Sequence, residues 1–156
     1  MVPGPLSLCC FSPFVLADRS AMSAVTPSQV NELLIAAGRS LLQYTAEAYP
    51  WSTAQKDLRE PILALARQQQ ESVRKLAHWL DDEGKIIHFG IYPVDYTSLH
   101  YVSVDFLKKH LISNQTQVVE LATFEYKEED SETAHHQYLA EILANEQAVL
   151  ASLKAL

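Results

Sequence analysis

Apolar residues recur every three or four positions over four long stretches of this chain, and that spacing limits the fold more than any other feature. An α-helix turns once in about 3.6 residues, so such positions share one face, whereas a strand needs alternation. The first stretch covers 26–48, with Val30, Leu33, Leu34, Ala37, Leu41, Tyr44 and Ala48 in phase. Thr26 is placed to cap it, Pro27 suits the first helical position and Pro50 stops it. The second covers 52–83, with Leu58, Ile62, Leu65, Gln69, Ser72 or Val73, Leu76, Trp79 and Leu80 in phase, so that Gln69 and Ser72 put polar groups in the middle of the stripe. Ser52 and Gln55 have capping-box spacing, Pro61 implies a kink or a late start, and Gly84 is a C-terminal cap. The third covers 96–127, with Leu99, Val102, Phe106, His110, Ser113, Gln117, Glu120, Leu121 and Phe124 in phase. The fourth runs from 133 to the end, with Tyr138, Ile142, Asn145, Val149, Ser152, Leu153 and Leu156 on one face and Glu146 beside it.

The longest connection, 84–95, is rich in Ile, Phe and Tyr. Its 12 residues, fully extended, reach roughly 40 Å, about the length of a 25-residue helix. It can therefore cross a whole helical domain, with its apolar side chains packing as it goes. Short, long and short connections predict an all-α four-helix bundle of two helical hairpins joined by a crossover, over residues 26–156. The aromatics Tyr44, Tyr49, Trp51, Phe89, Tyr92, Tyr96 and Tyr101 are expected to pack that crossover against the helices or to form a partner surface.

Residues 1–25 read as an extension, unstructured or arising from a mis-called start, with Met22 as the natural beginning. The apolar run 6–16 lacks the basic residues that precede an export signal and is too short to span a bilayer. Both cysteines, Cys9 and Cys10, lie in it, and adjacent cysteines do not have zinc-site spacing. With 19 acidic against 12 basic residues, the chain carries a formal net charge of −7 and is disfavoured as a nucleic-acid or anionic-membrane binder. A cytoplasmic location is expected.

No nucleophile has a Ser-His-Asp or Cys-His context, and the four glycines form no phosphate loop. The one Glu-x-x-His, Glu132 to His135, sits in an acidic turn and reads as a cap with a solvated histidine. His110 reads as a partly buried histidine with satisfied hydrogen bonds. The informative feature is a set of polar residues inside apolar stripes: Gln69, Ser72, Gln117, Glu120 and Glu146. They form a candidate core layer, either hydrogen-bonded within itself or able to hold a divalent metal or small ligand, with Glu120 and Glu146 as the metal candidates.

Over residues 27–156 the helix order, the crossover after Gly84 and two phrases resemble the ferritin-like superfamily, in the style of bacterioferritin and rubrerythrin. The phrases are Glu141-Ile-Leu-Ala-Asn-Glu-Gln-Ala-Val-Leu150 and Gly90-Ile-Tyr-Pro-Val-Asp-Tyr-Thr-Ser-Leu-His-Tyr101. The resemblance implies two irons at mid-bundle, held by one Glu from each of two helices and a Glu-x-x-His from each of the other two. This chain departs from that set. Gln69 with Ser72, and Glu146 with Val149, stand where the two Glu-x-x-His pairs would fall. The expectation is therefore a ferritin-like protein without a competent di-iron site and without a cofactor, acting as a non-catalytic interaction or scaffold protein and a homo-oligomer or partner of another protein. The alternatives are a metal-binding or oxidoreductase protein using iron or manganese at an atypical carboxylate site, and an acidic adaptor for a basic partner.

Overall fold

The computed structural model describes residues 24–50, 57–129 and 131–156. Trp51, the Ser52–Gln55 cap and nearly all of the N-terminal extension lie outside the described residues. Val25, assigned to that extension from sequence, is buried, and its amide donates to Glu129 Oε2 at 2.8 Å.

Among the described residues the fold is all-helical, with five α-helices: α1 Pro27–Gly38, α2 Leu41–Ala48, α3 Arg59–Asp82, α4 Val104–Glu128 and α5 Ala134–Ala155. A short 3-10 helix spans Val94–Leu99. Contacts link α1 and α2 to α3, α3 to α5, α5 to α4, and α4 back to α1 and α2. Cross-contacts set the directions. Gln29 meets Glu125, Gln68 meets Asn145, and Gln115 meets Glu146. Thus α3 and α4 run against α1 and against α5.

The expected first helix is two helices. Gly38 ends α1, Arg39 leaves helical geometry, and Ser40 restarts the chain as an N-cap. The break exposes backbone N–H groups that need acceptors. Ser40 Oγ takes the amide of Gln43, and Asn114 Oδ1 on α4 takes that of Leu41 at 2.8 Å. Pro61 acts as a late start, lying in the first turn of α3. At its other end, Gly84 adopts a positive φ of 64° and Lys85 donates back to the Leu80 carbonyl at 2.8 Å, the geometry of a Schellman cap.

The crossover climbs beside α1 and α2. His88 N donates to Asn31, Arg39 Nε to the carbonyls of Phe89 and Gly90, and Tyr92 Oη to Glu47. Burial pushes the Tyr92 phenol up to about 12, with the Glu47 carboxylate adding to the rise. Tyr44 then gathers Tyr92, Tyr96 and His100, its hydroxyl 2.5 Å from His100 Nε2. The expected packing of all the apolar crossover residues does not hold: Ile86, Ile91 and Val94 face outward. An extended chain sends alternate side chains to opposite sides, so only part of such a segment can bury itself on one surface.

Two apolar clusters fill the interior. One holds Val30, Leu33, Leu34, Leu76, Trp79, Leu139 and Ile142 near the α1 start, and the other Leu41, Leu42, Ile62, Leu107, Leu111, Val149 and Leu153 near the α2 end. Val104, Leu107, Leu111, Val118 and Ala122 form the inward face of α4. This overturns the stripe expected from sequence: His110, Phe106 and Phe124 are exposed. Two residue sets of helical period lie on this helix, and the one richer in aliphatic residues goes inside, taking Gln115 and Glu125 with it. On α5 the inward set is Leu139, Ile142, Glu146, Val149 and Leu153, so Glu146 is central to the stripe and Tyr138 is outside it.

Gly84 and Gly90 share a positive φ, but a Cβ on Gly84 meets nothing within 4 Å while one on Gly90 lies 2.9 Å from Ile35 Cγ2. Left-handed geometry alone costs an alanine about 1–2 kcal/mol. Gly90→Ala is therefore expected to destabilise the fold more than Gly84→Ala in urea titration, and to cost less in an Ile35→Ala background, which removes the crowding Cγ2.

Candidate functional site

The two apolar clusters are separated by a polar layer at mid-depth. It comprises Ser40, Gln43, Gln69, Ser72, Gln115 and Glu146, all buried, with Asn145 at its margin. Each arises from an interruption in an otherwise apolar stripe. Gln69 and Ser72 fall between Ala66 and Leu76 on α3, Gln115 between Leu111 and Val118 on α4, and Glu146 between Ile142 and Val149 on α5. The α1–α2 break supplies Ser40 and Gln43 from the remaining side.

The layer is a directed hydrogen-bond network. Gln70 at the surface donates to Gln43 Oε1 at 3.1 Å, and Gln43 Nε2 donates to Gln69 Oε1 at 3.1 Å and to the Ala66 carbonyl at 2.8 Å. Ser40 Oγ donates to the same Gln69 oxygen at 2.7 Å. Gln69 Nε2 passes on to Gln115 Oε1 at 2.9 Å and Glu146 Oε2 at 3.1 Å. Gln115 Nε2 closes the chain at 2.7 Å from Glu146 Oε2. Beside it, Asn145 Nδ2 donates to Ser72 Oγ at 2.8 Å and to the Gln68 carbonyl. Every amide in the main chain of bonds points its N–H toward the carboxylate.

Glu146 is fully buried, and burial pushes its carboxyl above the ordinary range, against the pull of Ser72, Gln115 and Gln69. Its Oε2 is doubly served, while Oε1 has no hydrogen-bond partner among the described residues. Glu125, at the α1 end of the interior, is also pushed up by burial, with Glu32 and Glu128 adding repulsion.

Of the residues expected in this layer, Gln69, Ser72 and Glu146 are brought together, and Gln117 and Glu120 are not. Both lie exposed on α4, because the inward face of that helix is the one carrying Gln115. Ser40, Gln43, Gln115 and Asn145 are members that sequence reasoning missed. The signal for Gln115 was present: it is the one polar position in the aliphatic series Leu107, Leu111, Val118 and Ala122. The histidine of the Glu132–His135 pair is held at the end of α3. His135 stacks on Trp79 at 4.2 Å and faces Glu83, and the adjacent His136 packs on Tyr126.

A pair of divalent cations needs several carboxylates and imidazoles. The layer offers one carboxylate and no imidazole, and among the described residues no three His, Cys, Asp or Glu converge elsewhere. No helix there is long and apolar enough to cross a membrane. Comparison with family models, with curated proteins and with solved structures finds no match to this chain.

Removing one partner of a buried hydrogen-bonding group costs about 1–3 kcal/mol. Gln115→Leu is expected to lose about that much in chemical denaturation at neutral pH. A carboxyl with a raised folded pKa binds protons more tightly when folded, so its contribution to stability is full below the unfolded value and falls as pH rises through the folded one. Glu146→Gln is expected to flatten that decline relative to the wild-type protein in a pH series of melting curves; an identical decline in both proteins would show that Glu146 does not cause it.

Proposed function

We propose that this chain is a divergent ferritin-like four-helix bundle whose centre has been converted from metal binding to hydrogen bonding, and that it acts as a non-catalytic interaction or scaffold protein. One observation carries the reading: the mid-depth layer meets almost all of its hydrogen-bonding capacity from within, through amides directed at one carboxylate. The positions support the ferritin-like part. Gln69 and Ser72 on α3, and Glu146 and Val149 on α5, have i, i+3 spacing, and Gln115 on α4 with Ser40 or Gln43 supplies the other two sides. Those are the places where such a bundle carries two Glu-x-x-His pairs and two further glutamates. Only Glu146 has the required chemistry, so a di-iron centre does not fit and no reaction step is assigned to one.

Interiors like this have a structural use. A buried amide layer penalises any slip of one helix past another, because a slip leaves polar groups facing leucine. Such a layer favours one rigid arrangement of surface residues, which is what a scaffold requires. A second reading rests on Glu146 Oε1, which is buried and lacks a partner. An acceptor of that kind invites a cation, and iron or manganese at an atypical carboxylate site is the form that reading takes.

The two are separated by metal. Purified protein is expected to carry no stoichiometric iron or manganese, and its melting temperature is expected to stay constant when Fe(II), Mn(II) or Zn(II) is added, since a ligand that binds the folded state raises it by mass action. About two irons per chain would defeat the first reading. The variant Gln43→Glu, Gln69→Glu, Ser72→His, Gln115→Glu, Val149→His, which with Glu146 makes four Glu and two His, is expected to melt lower without metal and to recover on metal addition. A variant that folds but shows no metal response would count against the ferritin-like geometry.

A further inference from the structure

The outward side of α4 carries a residue set of helical period that the core does not use. Phe106, His110, Ser113, Gln117, Glu120 and Phe124 follow one another in steps of four, three, four, three and four, and all are exposed. Phe106 and Phe124 keep 47% and 54% of their surface open, although each is a large apolar ring. The Phe106 ring rests on His110 at 4.5 Å. Single exposed apolar residues are ordinary on a protein surface. Here it is the spacing of the six that carries information, because it reads the same from either end.

We propose that this face is the interface with a second copy of the chain, with the two α4 helices antiparallel about a two-fold axis that crosses the outward face midway between Ser113 and Gln117. The proposal deepens the scaffold reading above and rests on it. A two-fold axis pairs each surface position with a different one on the partner copy, reciprocally. With the axis at the midpoint of the series, Phe106 of one copy meets Phe124 of the other at both ends. His110, together with the exposed Lys109 beside it, meets Glu120. Ser113 meets Gln117 across the axis. Each layer pairs like with complementary chemistry: ring with ring, base with acid, hydroxyl with amide.

Parallel pairing sets each position against itself, so Glu120 faces Glu120 and His110 with Lys109 faces the same bases. Only the antiparallel arrangement gives charge complementarity, which sets register and orientation at an interface rim. The spacing alternates three and four residues, the repeat that keeps one helix seam against another over several turns. From Phe106 to Phe124 the series spans about 27 Å of helix. That length repeats each contact twice and places apolar anchors at both ends of a polar centre. A partner of unrelated sequence has no reason to match the symmetry of the series, whereas a second copy matches it automatically.

Sedimentation velocity on the full-length chain over a concentration series tests the proposal. The expected result is a shift from one chain mass to two as concentration rises. Phe124→Asp, at an exposed position, is expected to raise the dissociation constant by about tenfold or more, the loss typical of an interface anchor. Glu120→Lys is expected to weaken the dimer, and the triple variant Lys109→Glu, His110→Glu, Glu120→Lys to restore it; circular dichroism melting confirms that each variant is folded. A single chain mass at every concentration overturns the proposal, whether the face is bare or covered by the chain's own apolar residues 6–16. A dimer indifferent to Phe124→Asp and Glu120→Lys overturns it too, and leaves the scaffold reading standing with another face. Stoichiometric iron in the purified protein defeats that reading, and this proposal with it.

Discussion

The hydrogen bonds from Gln115 and Gln69 to the Glu146 carboxylate hold the centre of this protein in place. A carboxyl in an apolar interior is costly unless it is neutral or well served by donors. Three helices must be aligned for those donors to reach it, and the α1–α2 break must be where it is for Ser40 and Gln43 to complete the network. The apolar clusters on either side provide the bulk of the burial, but they are tolerant. Leucine packs acceptably against leucine in several registers, whereas an amide finds a carboxylate in one.

Much of the fold could be read from the spacing of apolar residues. The inward positions of α1, and of α3 from Ile62 to Leu80, follow directly from it, as do the Thr26 cap and the turn at Gly84. The break at Arg39 was not legible, because Ala37 and Leu41 stay in phase across it and Gly38 alone is tolerated inside many helices. The face of α4 was misjudged for a physical reason. Phenylalanine at 106 and 124 gives the outer stripe apolar weight, and a count of apolar residues cannot tell an exposed face from one that meets the core.

The candidate layer was half legible for related reasons. Gln69, Ser72 and Glu146 interrupt strong stripes, so their burial follows from their neighbours. Gln117 and Glu120 share the outward face of α4 with Phe106 and Phe124, while Gln115 lies on the opposite, inward face, which the apolar count does not single out. Ser40 and Gln43 needed knowledge of the break. That a polar belt exists is thus a property of the sequence; which amide answers which oxygen is a property of tertiary geometry.

The amide chain also has an outer end. Gln70 lies exposed on α3, yet it is joined to the carboxylate through Gln43 and Gln69, each group polarising the next. By area it belongs to the solvent; by wiring it belongs to the interior. A neutral change on the rim of this molecule therefore cuts into a network that reaches its interior, so the tolerance of a position here is not measured by how much water it touches.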